Sequence, residues 1–452
     1  MRWMRSGLLA AACVMAMPAS ADAQAAPRFP DRVCNVRDHG ARGSRIFLDT
    51  EAFQRAIDAC AGQGGGTVLV PRGEYRIAPI FLRSHIRLTL APYAELVATT
   101  DPEPYRVTPA TRAYETSDGW MALINIADAQ GVAITGEGRI DGQGAPWWER
   151  WRARAARTKT GGGTDRPRLI QASRSRDLLF EGVTVMNSPS FHLVLDRSER
   201  VTIRGMSFIA LAHSPNTDAI DPVDTRDVLI ENNFFDTGDD IVAIKSSRVD
   251  PAHPDASSGN IVIRHNRGRA GRGICIGSGT VGGVRHVLVE DNEIDGAMYG
   301  LRIKTLRGKG GPVQDVVFRR NRLVDVGTPF VFSSYYAAGG YDEEAVQRRV
   351  ASEGGFRLND QLYPPDSEPP RAFVAHQTPA ISDVLVEDLT ATGADRAGLI
   401  IGLPERPIER LSFRNVSVEA REPLRVRHAQ VDGRGLRMRA PAPILERGAV
   451  WR

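Results

Sequence analysis

Lysine is the residue this 452-residue chain has least reason to ignore, because it has so little of it. Only Lys159, Lys245, Lys304 and Lys309 occur, in a lysine-plus-arginine total of 58. A lysine inside an apolar strand is therefore a selective feature here, where an arginine is not. Cysteine is equally scarce, 4 in all. Cys13 lies in the N-terminal leader, and the spacing of Cys34, Cys60 and Cys275 fits no metal site. In an oxidising compartment Cys34 and Cys60 are candidates to close a loop, whereas Cys275, in GICIGS, reads as a buried small hydrophobe. No apolar run reaches the roughly 20 residues of a membrane span, so membrane insertion is not expected. Basic residues are not clustered with interleaved aromatics, which gives nucleic-acid binding no support. A net charge of +4 is mild and compatible with an acidic partner.

The beginning of the chain reads as a cleavable leader. Arg2 and Arg5 precede the apolar run GLLAAACVMAM, and Ala21-Asp22-Ala23 is a small-x-small cleavage site. The expectation is a signal peptide over 1–23 and a secreted or periplasmic mature chain over 24–452. Alanine fills the positions before Cys13, which argues against lipidation.

Next comes DTEAFQRAIDACAG, with Phe53, Ala56, Ile57 and Cys60 at helical spacing behind a capping Asp49 or Thr50. From GGGTVLVPRGEYRI onward the pattern is β. A short strand recurs: VAIT at 132, LLFEGV at 178, VTIRGM at 201, VLIENN at 228, IVIRHN at 261, VLVEDN at 287, VVFRRN at 316, VLVEDL at 384 and LSFRNV at 411. Where the units run without interruption, from 178 to 316 and from 384 to 411, starts lie 23–33 residues apart, a solenoid period. Asn233, Asn266, Asn292 and Asn321 end four units and are suited to a hydrogen-bonded column at a turn with left-handed φ. No helical periodicity separates the strands, so βαβ units are not expected. The pattern predicts an all-β, single-domain right-handed parallel β-helix with a short N-terminal capping helix, the alternatives being a sandwich or a propeller. Residues 145–170 and 333–378 break the rhythm. The first reads as a surface loop or a helix plus linker, the second as a proline-rich excursion bordering a binding face.

Polar residues gather at one phase of the repeat. Asp239 follows Val228 by eleven positions, and Arg272 follows Ile261 by the same number. The run from Tyr299 through Arg302 to Lys304 starts twelve positions after Val287, and Asp218 follows Val201 by 17, with LAHSPN as an insertion. Equivalent offsets in a solenoid bring side chains onto one patch. Three carboxylates ringed by cations suit glycoside hydrolysis. One must be held protonated to donate to the leaving oxygen, and another must stay ionised to activate water or attack the sugar. Arg302 and Lys304 suit substrate carboxylates and lower the pKa of adjacent acids. A lone aspartate at such a turn more often caps backbone N–H groups, and clustered carboxylates also suit Ca²⁺. Three acids among Lys245, Arg302 and Lys304 favour a hydrolytic site over both.

At these residues the chain resembles the polygalacturonase family of pectin-degrading glycoside hydrolases, family 28. Its Asn-Thr-Asp, Gly-Asp-Asp and Arg-Ile-Lys segments are matched by Asn216-Thr217-Asp218, Gly238-Asp239-Asp240 and Arg302-Ile303-Lys304. NVRDHGARG, GGGTVLVPRGEYRI and IDGQGAPWW also look like its bacterial members. The resemblance implies a pectin-lyase-like solenoid, a monomer acting on an acidic plant polysaccharide, and inverting hydrolysis with no metal or cofactor. It implies Asp239 as general acid, Asp218 and Asp240 as activators of water, and Arg302 and Lys304 as uronate ligands. Asn216, Lys245, Arg272 and Tyr336 complete the expected substrate-binding set, with Tyr335 as the alternative tyrosine. The family's Gly-His-Gly reads Gly271-Arg272-Gly273 here. Arginine cannot exchange protons as histidine does, and this departure leaves rhamnogalacturonan or another branched pectic polymer as the alternative substrate. His213 and His265 read as structural. A Ca²⁺-dependent pectate lyase and a non-catalytic polysaccharide-binding β-helix are the competing readings.

Overall fold

Alternation of apolar and polar residues sets the local structure. In Ile86–Leu90 the side chains of Ile86, Leu88 and Leu90 are buried and those of Arg87 and Thr89 half-buried, the period-2 pattern of a strand with one face on a core. The computed structural model describes residues 26–158, 165–336, 356–358, 361–363 and 369–452. The leader expected over 1–23 lies outside them. No helix among the described residues is long and apolar enough to cross a membrane.

The recurring strands stack in parallel with their repeat positions in register. Val132, Leu178, Val201, Val228, Ile261, Val287, Val316, Val384 and Leu411 pair successively. They belong to a 14-stranded sheet that forms one face of a right-handed parallel β-helix. A further 22 strands form two more parallel ladders, which merge in the long strands Thr390–Ile401 and Val416–Arg427. One hydrophobic core runs the length of this three-faced prism. Each fully buried Val, Ile or Leu contributes about 1.5–3 kcal/mol.

The helix α1, Thr50–Gly62, covers the N-terminal end, burying Ala52, Phe53, Ala56, Ile57 and Cys60. Cys60 forms a disulfide with Cys34 across a Cα separation of 6.0 Å. Neither expected capping residue caps the helix. The Asp49 carboxylate accepts the N–H groups of Arg42 and Gly43 at 2.9 and 3.1 Å, and Thr50 Oγ1 accepts that of Ala78 at 2.8 Å. Both side chains tie the helix start to neighbouring segments instead.

The asparagine column forms as expected. Asn233, Asn266 and Asn292 each donate Nδ2–H to Oδ1 of the next asparagine at 2.9–3.0 Å, ending on Asn321. The left-handed residue is not the asparagine of the column but the one before it: Asn232, His265, Asp291 and Arg320, with φ of 56°, 54°, 54° and 51°. The bend falls there because the column asparagine must turn its amide inward to reach the next coil. The segment after Gly144 opens as the helix α2, Ala145–Thr158, rather than as a loop. Within the 333–378 excursion, Phe356–Leu358 pairs antiparallel with Gln361–Tyr363, and much of the remainder is outside the described residues.

Candidate active site

Successive coils deliver the acids and cations to one corner because the strands that follow them are in register. Ile220 pairs with Val242, Val242 with Ile274, and Ile274 with Leu301. Asp218 stands just ahead of the first of these strands, Asp239 and Asp240 ahead of the second, and Arg272 ahead of the third. Arg302 and Lys304 lie within the fourth, Tyr299–Thr305. Close packing of the turns calls for glycine. A Cβ on Gly273, whose φ is 80°, would sit 2.3 Å from the carbonyl oxygen of Gly300.

Asp218, Asp239 and Asp240 are all buried, and one oxygen of each lies within 4.8 Å of the others. The two adjacent aspartates have different partners. Asp240 Oδ2 accepts from Lys304 Nζ at 2.5 Å and its Oδ1 from Cys275 Sγ at 3.1 Å. Asp239 Oδ1 is 3.7 Å from Arg272 Nε and accepts the backbone N–H of Asp240 at 3.0 Å. Lys245 is 3.6 Å from Asp218 Oδ2 and forms a short ion pair with Asp221.

These surroundings push the carboxyls apart. Burial, together with the negative charges of Asp221 and Asp239, raises Asp218 well above the ordinary carboxylate range. Burial also raises Asp239, with Arg272 opposing and Asp240 reinforcing the shift. Burial is the largest influence on Asp240 and works to raise it too. Lys304 and Arg302 outweigh it, so Asp240 is held below its ordinary value. Asp221 is raised by burial, against the pull of Lys245.

The buried Arg302 guanidinium has an Nε–H with no hydrogen-bond partner among the described residues. Its Cζ sits 4.1 Å from the ring centre of Tyr299 and 5.5 Å from that of Tyr336. Tyr336 also lies 5.2 Å from Lys304 Nζ. Tyr335 turns away, onto the cluster of Tyr299, Val331 and Tyr363 and over Arg307.

The structure therefore brings together Asp218, Asp239, Asp240, Lys245, Arg272, Arg302, Lys304 and Tyr336. Two expectations change in detail. Lys245, expected at the substrate, is engaged by Asp221 and Asp218. The Asn216 carboxamide accepts from Arg166 Nη2 at 2.7 Å, and Arg166 also donates to the carbonyls of Pro189 and Pro215. Sequence reasoning missed Asp221, Arg166 and His192. His192 is fully buried with Nδ1 3.1 Å from the Asp218 carbonyl, and burial lowers its pKa to about 4. Asp221 had a legible signal, lying one strand position from Ile220 in IDPV with an outward phase. Cys275 is buried as expected, but it touches Asp240 rather than serving as a plain hydrophobe. His265 is exposed at the left-handed turn, and the His213 carbonyl accepts from Arg152.

The model of glycosyl hydrolases family 28 matches residues 60–348. A probable polygalacturonase of Vitis vinifera is 28% identical over 84% of this chain and 73% of its own length. A polygalacturonase of Ralstonia solanacearum is 31% identical over 64% of this chain, which spans 62% of that relative. Among solved structures, an exopolygalacturonase from Thermotoga maritima superposes with a TM-score of 0.71 at 28% identity, over 93% of both chains. A polygalacturonase from Erwinia carotovora shares the fold, with a TM-score of 0.66 at 23% identity over 95% of this chain and 96% of its own.

Proposed function

From the premise that the chain belongs to glycosyl hydrolases family 28, and so is a glycoside hydrolase, we propose that it cleaves α-1,4-galacturonosyl bonds in a pectic polysaccharide. The observation that carries this reading is Arg302, a buried guanidinium with an unused N–H, on the same strand as Lys304 and close enough to Asp240 to lower its pKa, beside the cluster of three carboxylates. A guanidinium in that state is suited to a carboxylate, the group that distinguishes a uronic acid from a neutral sugar. The polygalacturonase names of the relatives point the same way.

Asp239, its pKa raised by burial, donates to the leaving glycosidic oxygen. Asp240, held ionised by Lys304, takes the proton of the attacking water. Asp218, raised by burial, positions that water rather than sharing the base role equally. Three oxygens within 4.8 Å of one another leave a point no more than about 2.8 Å from each, within hydrogen-bond reach of one water. That spacing is tighter than the roughly 6.5–9.5 Å typical of inverting pairs. Inversion is the proposal because the attacking water is held by a third carboxylate. Lys245, Arg272, Arg302 and Lys304 balance the carboxylates, which favours a metal-free reaction. The leader over 1–23 supports secretion or periplasmic export.

The test is product analysis on polygalacturonate, rhamnogalacturonan and xylogalacturonan, with proton NMR of the first-formed anomer. New reducing ends of inverted configuration are expected. Release of nothing from any pectic polymer sinks the reading, and retained configuration sinks the mechanism. Unsaturated ultraviolet-absorbing products lost on chelation would establish the lyase alternative.

A further inference from the structure

Many arginines of the coils pair with an acid of a neighbouring coil. Arg174 pairs with Asp128, Arg204 with Glu181, and Arg410 with Asp383, each at 2.6–2.7 Å. A cavity of about 960 Å³, walled by α2 and by residues 102–120, is lined by six arginines, with Glu115 and Asp165 as its acids. Asp165 is occupied by Arg154, and Arg106 is held by Glu103 outside the lining. Arg112 and Arg150 are exposed, and among the described residues neither has a carboxylate within ion-pair distance. The same wall carries Trp120 and Trp151, both half-buried, with the Arg106 and Arg166 guanidiniums 5.4 and 5.1 Å from their ring centres on one side.

Two connections tie this cavity to the catalytic corner. Arg166 lines it and holds the carboxamide of Asn216, two positions from Asp218. Arg112 and Glu115 also line an adjoining groove of about 640 Å³ that runs over Val194 and Val223, on strands neighbouring and carrying Asp221. A polymer leaving the catalytic corner along this groove meets Arg112 and then the tryptophans.

We propose that the cavity is an accessory saccharide site, taking uronate units of the same polymer whose bond is cleaved beside Asp239. Arginine forks pair with sugar carboxylates, and the C–H faces of the pyranose rings stack on the indoles. A neutral glycan would leave the arginine charge unanswered. This inference rests on the reading of the site as a polyuronate hydrolase.

The test uses the full chain bearing Asp239→Asn, which holds substrate without turnover. It is titrated calorimetrically at low salt with galacturonate oligomers of two to three units and of eight or more, with and without Arg112→Ala plus Arg150→Ala. Both arginines are exposed, and an unchanged melting temperature checks the fold. Long oligomers should bind about tenfold more weakly to the charge-depleted chain, and short ones equally to both. Equal affinity for long oligomers, equal weakening of long and short ones, or no binding of long oligomers each overturns the accessory site. Failure of the hydrolase reading is seen separately, as wild-type chain releasing nothing from any pectic polymer. The length-dependent binding still judges the cavity in that event.

Discussion

Two corners of the same coils treat polar groups in opposite ways. At the corner of Asn233, Asn266, Asn292 and Asn321, each buried amide is used by the coil above or below. At the corner of Asp218, Asp239 and Asp240, buried atoms are left over: Asp218 Oδ1, Asp221 Oδ2 and Arg302 Nε have no partner among the described residues. A corner that repeats satisfies itself, because each coil presents what the next one needs. A corner that varies from coil to coil keeps donors and acceptors for a ligand, at a cost in stability.

The sharpest way to break this contrast is Asp239→Asn, which preserves shape and removes the acid. We expect kcat to fall about 10³-fold with little loss of thermal stability, since the asparagine oxygen can still accept the backbone N–H of Asp240. A variant retaining a tenth of the activity would strip Asp239 of the acid role. The mirror experiment is Asn266→Ala, which leaves the neighbouring amides unpaired. It should cost about 3 kcal/mol of stability, read by denaturant unfolding, while activity per folded molecule is unchanged. A stable variant would show that the column does not hold the coils together.

Smaller effects separate the acids from each other. Activity requires Asp239 protonated and Asp240 ionised, so kcat/KM should fall at low pH as Asp240 gains a proton and at high pH as Asp239 loses its own. Arg272 lowers the pKa of Asp239. Arg272→Gln should therefore move the alkaline limb to higher pH and leave the acid limb in place. An alkaline limb that stayed put or moved down would uncouple Arg272 from the proton of Asp239. Cys275→Ala removes one weak thiol bond to Asp240 and should lower kcat by only about two- to threefold, with Cys275→Ser restoring it. A large loss would make the thiol a stronger anchor for Asp240 than its geometry suggests.

The repeat was legible because it is periodic. The positions read as strand starts are the ones that pair, from Val132 to Leu411, and equal offsets from them found Asp239 and Arg272. Legibility ended where the chain leaves the period. Arg166 reaches Asn216 from a segment 50 residues earlier, and His192 comes from a turn one coil back, so no offset from the repeat marks either. The phase of Asp221 was readable, but its engagement with Lys245 depended on a cross-strand pairing that spacing alone does not give. The bend at His265 or Arg320 was missed for a different reason. Arginine has no preference for left-handed φ and histidine a weaker one than asparagine, and tertiary stacking overrides local preference there.

That left-handed position amounts to an unused margin for engineering. His265 is exposed and adopts a φ of 54°, a conformation asparagine enters more readily than histidine. Replacing it with asparagine should add about 0.5 kcal/mol without touching the catalytic corner, which a rise in melting temperature at constant kcat would register. Arg320 holds the same bend on another coil with a φ of 51° and offers a second small gain, and the two should add because the bends lie on separate coils.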